Sequence, residues 1–437
     1  MEIGLVPKTE NLWKGAKANG LSPLEALAYR SNLLGSDRSV ANFGGGNTST
    51  KSKERDHTGR EIDALWVKGS GSDLATITAD KFTGLRLEEI LPLMERGEMS
   101  DEEMVSHLAR CQLAPDMPRG SIETLLHAFV PHPHVDHTHP DAINMLCCAE
   151  NGEALARDCF GDEAVWVPYI RPGFALSKEV GEAVRDNPKA RFVLLAKHGL
   201  VTWGETGEES YANTVEAVNR AAEFVASRAG DAPFGGAVMP PVGREKREGL
   251  LAAALPALRG ALSKETPKIL RFDASEAVME FVCGTDSSDL SQVGAACPDH
   301  LVHTKMRPLW IDFDPENEGA EELKTKLREG AERYRDEYEA HFSRNGIEDE
   351  EMSDPNPRVV LISGVGLISV GKDLKSANLA RDLYHRAIAV MRGASTMDSF
   401  VSLSEEESYA VEYWPLELYK LTLAPPPKEF AGRVALV

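Results

Sequence analysis

The chain alternates short apolar runs with amphipathic stretches, and both kinds are bounded by glycine, proline and capping residues. "SPLEALAYRSNLLG" opens with Ser22 as an N-cap and Pro23 at the first helical position and stops at Gly35, which predicts a helix. "VANFGGGNTSTKS" places strand-like residues on either side of three glycines. "EIDALWVKGSGSDLATI" predicts a strand and then a glycine turn. "GSIETLLHAFV" is helical with Ser121 as its cap, and "ARFVLLAKHGLVTWG" holds a short buried strand ending in a turn. "SYANTVEAVNRAAEFVASRAG" predicts an amphipathic helix that ends at Gly230.

The Gly- and Pro-rich stretch "DAPFGGAVMPPVGREKRE" is the best domain boundary. The expected organisation is a first domain over 1–232, a linker over 233–248, a second α/β region over 249–424 and a tail over 425–437. The second region includes the charged helix "EELKTKLREGAERYRDEYEAHF", the buried strand "RVVLISGVG" and a helix from Ser376 to Met391. No internal repeat is expected.

Length and charge agree with this layout. At 437 residues the chain exceeds one ordinary core. A net charge of −21, with no Lys/Arg-rich block, argues against nucleic acid or an anionic membrane as partner. A small anionic substrate stays compatible, because backbone N–H groups and one or two cations hold a phosphate locally. No apolar run is long enough to span a bilayer, the start has no signal-peptide core, and the six cysteines show no paired CxxC spacing. A reduced cytoplasmic location is the expectation.

The densest chemistry is "PHPHVDHTHPDA", with His132, His134, His137 and His139. Residues two apart share a strand face. The two histidine pairs differ in parity, so one strand cannot aim all four at one ion. Pro131 and Pro133 put the first pair in a loop, where His132 and His134 read as solvent-facing. "VDHTH" can be a strand, which favours His137 and His139 as zinc ligands. His198 is the best third ligand, since it sits where "FVLLA" meets a glycine turn. Glu123 and His127 share a helix face at i,i+4 spacing. His127 reads as packing or as support for a ligand. The glycines of "GGGNTST" and "KGSGSD" can bring backbone N–H groups to an anion, with Asn47 and Thr48 adding side-chain donors.

In the order "GGGNTST", "KGSGSDL", "SIETLLH", "VDHTHPDA", "LLAKHGL", these segments resemble the class II (zinc-dependent) aldolase/adducin family over about residues 22–230. The resemblance implies a three-layer α/β/α fold around a largely antiparallel sheet, a homotetramer, and cleavage of ketose phosphates. It implies Zn²⁺ on His137, His139 and His198, Glu123 as acid/base, and substrate phosphate at Asn47, Ser70, Gly71 and Ser121. It also implies Tyr169, in "VPYIRPG", as a proton donor reaching in from a neighbouring subunit. "PDHLVHTK", "GVGLISVGKD" and "AVMRGA" further resemble bifunctional rhamnulose-1-phosphate aldolase/short-chain dehydrogenase proteins. That implies L-rhamnulose 1-phosphate as substrate, dihydroxyacetone phosphate and lactaldehyde as products, and a role in rhamnose catabolism. "GRVALV" resembles the first strand of a short-chain dehydrogenase, but no glycine-rich turn follows it, so dehydrogenase activity is not expected. A sugar-phosphate 4-epimerase and an adducin-like interaction module are the competing readings.

Two other motifs read as structural. In "GLISVGKD", Asp373 stands where a phosphate loop needs a hydroxyl. "CPDHLVHTK" spaces Cys297, His300 and His303 as a metal site might, yet helix-end polar residues are the simpler reading.

Overall fold

A computed structural model describes residues 8–434, apart from 231, 348–349, 424–425 and 427–428. Capping chemistry sets the first long element. Ser22 accepts a hydrogen bond from the Glu25 N–H and Glu25 reaches back to Ser22, so the helix Pro23–Ser36 starts at the predicted residue. The chain divides into two compact units, Met1–Ser227 with Leu418–Leu423, and Arg228–Glu417 with Ala424–Val437. Two details differ from the expected layout. Pro233–Gly235 and the start of the helix Arg244–Leu262 lie inside the predicted linker, and Leu418–Leu423 belongs with the first unit. The predicted strand "GRVALV" lies partly outside the described residues, and its described part, 432–434, is turn and coil.

Unit 1 contains β1 (Asn47–Arg55), β2 (Glu61–Lys68), β3 (Phe82–Arg86), β4 (His134–Thr138), β5 (Ala164–Val167), β6 (Phe192–Leu195) and β7 (Gly199–Gly204). They form one sheet in the order β3-β2-β1-β4-β7-β6-β5, in which only β5 and β6 run parallel. The helices Pro23–Ser36, Asp141–Cys147 and Gly207–Ala226 form one outer layer; Leu87–Ile90, Thr124–Phe129 and Phe174–Asp186 form the other. The α/β/α layering and the largely antiparallel sheet are as expected. Val135, Val193, Leu195, Val201 and Trp203 pack from the sheet against Leu126, Leu176 and Val180 of the second layer. The opposite face of β4 is polar. Arg30 Nε donates to Asp136 at 2.9 Å and its NH1 meets His134 Nδ1 at 2.9 Å, while Ser210 donates to Asp136 at 2.6 Å.

Unit 2 contains β8 (Ile269–Asp273), β9 (Leu309–Ile311), β10 (Val359–Ile362) and β11 (Gly366–Gly371), in the order β8-β11-β10-β9. Its pairings run antiparallel, antiparallel, parallel, the same series as β4-β7-β6-β5. Contrary to the expectation of no repeat, unit 2 therefore repeats half of the unit 1 sheet. "RFVLLAKHGLVTWG" and "RVVLISGVGLISVG" form the matching hairpins. Lys197 and Gly364 occupy the same turn position at φ 54° and 68°. A Cβ on Gly199 would meet the Thr138 carbonyl oxygen at 2.4 Å, and one on Gly366 the Asp273 carbonyl oxygen at 2.5 Å. A helix follows each hairpin, Gly207–Ala226 after β7 and Leu374–Met397 after β11. Asp373 caps the latter by accepting from the Ser376 N–H at 2.7 Å, so "GLISVGKD" is a strand and a helix cap. By register, Phe272, Ala274 and Val365 stand where unit 1 has His137, His139 and His198.

Candidate metal and acid–base site

Strand parity on β4 decides which histidines meet. His137 shares the face of Val135, and His139, one residue beyond the strand end, returns to the same side. His198 comes from the tight turn between β6 and β7, where Lys197 takes a left-handed backbone and Gly199 alone allows the approach of Thr138. All three imidazoles are buried, with ring centroids 4.8, 4.9 and 4.9 Å apart. His137 Nδ1 donates to the Leu200 carbonyl at 3.0 Å, which leaves its Nε2 lone pair for a ligand role. That Nε2 lies 3.0 Å from His139 Nε2. Tetrahedral zinc ligands at about 2.0–2.1 Å from the ion sit about 3.3 Å apart, so three neutral imidazoles converging this closely suit a divalent metal ion such as Zn²⁺.

Glu123 closes the site from the residue just before the helix Thr124–Phe129. Its Oε1 lies 3.3 Å from His137 Nε2 and 3.5 Å from His198 Nε2, with no hydrogen-bond partner of its own. Its Oε2 accepts from Asn47 Nδ2 at 2.7 Å. Burial pushes this carboxyl up, but His137, His198 and the Asn47 amide outweigh it and hold it at about 2. A dry site raising this carboxyl is the usual expectation for a general acid; here the donors around it reverse the direction.

The remaining predicted residues fall into three groups. Asn47 is engaged at both ends, because its Oδ1 meets His127 Nε2 while its Nδ2 holds Glu123. His127 in turn pairs with the Ser49 hydroxyl at 2.7 Å, and burial with the nearby His137 depresses it to about 3. It supports the site through Asn47. Ser121 Oγ accepts from the Glu123 N–H at 3.3 Å. Ser70 N–H donates to the Arg119 carbonyl at 2.8 Å, and Gly71 takes φ 79° beside it, so this loop runs next to Ser121. Tyr169 is half-buried in the segment between β5 and the helix Phe174–Asp186.

One expectation needs correction. His134 is not a solvent-facing loop residue: it begins β4 and its Nδ1 meets Arg30 and, at 3.0 Å, the Thr50 hydroxyl. Pro133 precedes the strand without preventing it. His132 does lie outside the strand, stacked on Trp203 and paired with Glu205 at 2.9 Å. The sequence reading also passed over Arg30 and Lys68. Arg30 falls three residues after Leu27 and four before Leu34, on the buried stripe of its helix, and a charge there signals a buried partner. Lys68 is buried and donates to the Gly44 and Gly46 carbonyls at 3.1 and 2.9 Å, fixing the first glycine loop to the end of β2.

Residues 25–225 match the family described as Class II Aldolase and Adducin N-terminal domain, and 249–421 match Aldolase class II, second domain. The "Uncharacterized oxidoreductase YuxG" of Bacillus subtilis (strain 168) is 51% identical over 430 residues, covering 98% of this chain and 62% of that protein. The chain thus spans less than two thirds of that relative. A solved N-terminal Class II Aldolase domain of a conserved protein from Thermoplasma acidophilum is 40% identical over 49% of this chain and 99% of its own, with a TM-score of 0.46. An L-fuculose-1-phosphate aldolase from Thermus thermophilus is 18% identical over 46% of this chain and 93% of its own, with a TM-score of 0.29.

Proposed function

Because the chain belongs to the class II aldolase and adducin family, we propose that unit 1 cleaves a ketose 1-phosphate by a zinc-dependent retro-aldol reaction. The observation that carries this is the approach of Glu123 Oε1 to within 3.3 and 3.5 Å of two of three converging imidazoles. A Zn²⁺ held by His137, His139 and His198 would supply a Lewis acid for the oxygens of the cleaved ketose. Glu123 Oε1 delivers a proton to C3 of the dihydroxyacetone phosphate fragment, or removes it in condensation. Asn47 holds Oε2, which leaves Oε1 as the working oxygen. Ser70, Gly71 and Ser121 take the substrate phosphate on the adjoining loops; Asn47, expected in that set, is held instead between Glu123 and His127. Tyr169 from a neighbouring copy in a homo-oligomer handles the proton on the leaving aldehyde oxygen.

The proposed substrate is L-rhamnulose 1-phosphate, giving dihydroxyacetone phosphate and lactaldehyde, as the resemblance of residues 250–425 implies. No disulfide joins the six cysteines among the described residues, and no described helix is long and apolar enough to cross a membrane; a reducing cytoplasmic setting is the proposed location. Metal analysis followed by a coupled triose-phosphate assay over rhamnulose, fuculose and related 1-phosphates tests the reading. Release of dihydroxyacetone phosphate supports it. An epimerised sugar phosphate with no triose would overturn it in favour of a 4-epimerase.

A further inference from the structure

Unit 2 keeps the half-sheet scaffold but has Phe272, Ala274 and Val365 at the metal positions, so any ligand chemistry there must lie elsewhere. A cavity of about 420 Å³ opens beside the edge strand β9, lined by Lys305, Trp310, Tyr334, Tyr338, His341 and others. Lys305 follows the helix Pro298–Thr304 and holds φ at 65°, a left-handed conformation that is costly for a residue with a Cβ. It is only 5% exposed. Its Nζ lies 3.3 Å from the centroid of the Tyr338 ring and donates to the Asp354 carbonyl at 2.5 Å.

The nearby carboxylates are occupied by other groups. The Asp354 carboxylate pairs with Lys268 at 2.6 Å and Arg358 at 3.4 Å, and that of Glu412 accepts from the Tyr338 hydroxyl at 2.6 Å. Among the described residues none pairs with Lys305. A buried ammonium has three donors and gains most from a counter-ion. Burial, helped by Arg358 and Lys268, outweighs the pull of Glu412 and Asp354 and drives this amine down to about 7. His341 stands on the other side of the same tyrosine, with ring centroids 6.2 Å apart. It too is 5% exposed. Its Nδ1 lies 3.1 Å from the Glu405 carboxylate, and its Nε2 is buried without a partner. With Nδ1–H on Glu405, Nε2 is an acceptor suited to a hydroxyl group.

We propose that this cavity binds a small organic anion, a carboxylate or phosphate ester carrying a neighbouring hydroxyl, between Lys305 and His341. The anion supplies the direct ion-pair contact that Glu412 and Asp354, acting on Lys305 only at a distance, do not, the hydroxyl satisfies His341 Nε2, and Trp310 and Tyr334 cover the carbon skeleton. The site is independent of the proposed zinc chemistry. It is tested on the full-length chain after chelation, so that the three unit 1 imidazoles cannot hold a metal-bound anion.

Calorimetric titration with glycolate, acetate and inorganic phosphate reads binding directly and separates carboxylate from phosphate. Saturable binding of glycolate or phosphate is expected, weakened by about 10-fold or more in Lys305→Met and partly kept in Lys305→Arg. His341→Phe should erase any preference for glycolate over acetate. Lys305→Met gives up the Asp354 carbonyl and Tyr338 ring contacts, so circular dichroism checks that the variant folds. A second readout needs no variant: in the wild type, bound anion must slow acylation of Lys305, followed by peptide mass spectrometry. Absence of saturable binding by all three anions at millimolar concentration, or equal affinity in a folded Lys305→Met, overturns the proposal, as does unaltered Lys305 labelling.

Discussion

The two oxygens of Glu123 have different surroundings, and the proposed chemistry depends on that difference. Oε2 is tied to Asn47, while Oε1 faces two imidazole nitrogens without a hydrogen bond. Glu123→Gln keeps the shape and the Asn47 contact but removes the basic oxygen. Exchange of the C3 proton of dihydroxyacetone phosphate, followed by NMR in deuterated water, is expected to slow by about 10²-fold or more with zinc content unchanged. Wild-type exchange in this variant would sink the assignment. Asn47→Ala acts one step further out. It frees Oε2 and strips His127 of a partner, so kcat should fall by about 10-fold while zinc still binds, a loss in the range of one hydrogen bond to a charged group. The histidine trio and Glu123 were legible in the sequence because strand parity and motif order reveal them. The two-ended role of Asn47 was not, since nothing local says that an amide in a glycine loop will face a helix start 76 residues away.

At the level of elements, the site rests on β4 and on the β6–β7 hairpin, and each has a structural lock. Behind β4 the Arg30–Asp136 pair is fully buried. Arg30→Met leaves Asp136 charged and without its ion-pair partner, with an expected cost of about 3–5 kcal/mol in urea unfolding. The double variant Arg30→Met/Asp136→Leu should recover much of this. If the double variant is as unstable as the single, the pair is not the cause. In the hairpin, a Cβ on Gly199 would lie 2.4 Å from the Thr138 carbonyl and 2.7 Å from His139 Cδ2. Gly199→Ala should therefore cost stability and also zinc affinity, read by competition with a chelating dye. Gly366→Ala meets the same backbone obstacle in unit 2 and should cost stability alone. The helices and the main strands could be read from caps and apolar runs, but the repeated half-sheet could not. Its hairpins share glycines and branched apolar residues that many buried strands share. The helix Ala320–Asn345, of 26 residues, also stands where unit 1 has the 13-residue Phe174–Asp186, which spoils any fixed spacing.

For the whole molecule, two units built on related sheets should answer differently to metal and to acid. Only unit 1 presents imidazoles at the three ligand positions, so metal analysis should give about one zinc per chain despite the duplicated scaffold. Chelation removes a stabilisation that reaches about 2.7 kcal/mol when free metal is a hundredfold above its Kd. Peptide-resolved hydrogen exchange should then accelerate around 134–139 and 195–204 and stay unchanged around 269–273 and 359–371. Acid acts on unit 2 through Asp354. Burial pushes this carboxyl up, but Arg358 and Lys268 outweigh burial and hold it at about 2, below the ordinary 3.8. A carboxyl depressed in the folded state contributes stability above its unfolded value, and that contribution is lost as pH falls through the folded one. Exchange in the peptides carrying 268 and 354–362 should therefore rise between about pH 4 and pH 2. In Asp354→Asn the same peptides should exchange faster at neutral pH and show a smaller acid response. An acid response of equal size in that variant would place the titrating group elsewhere in unit 2.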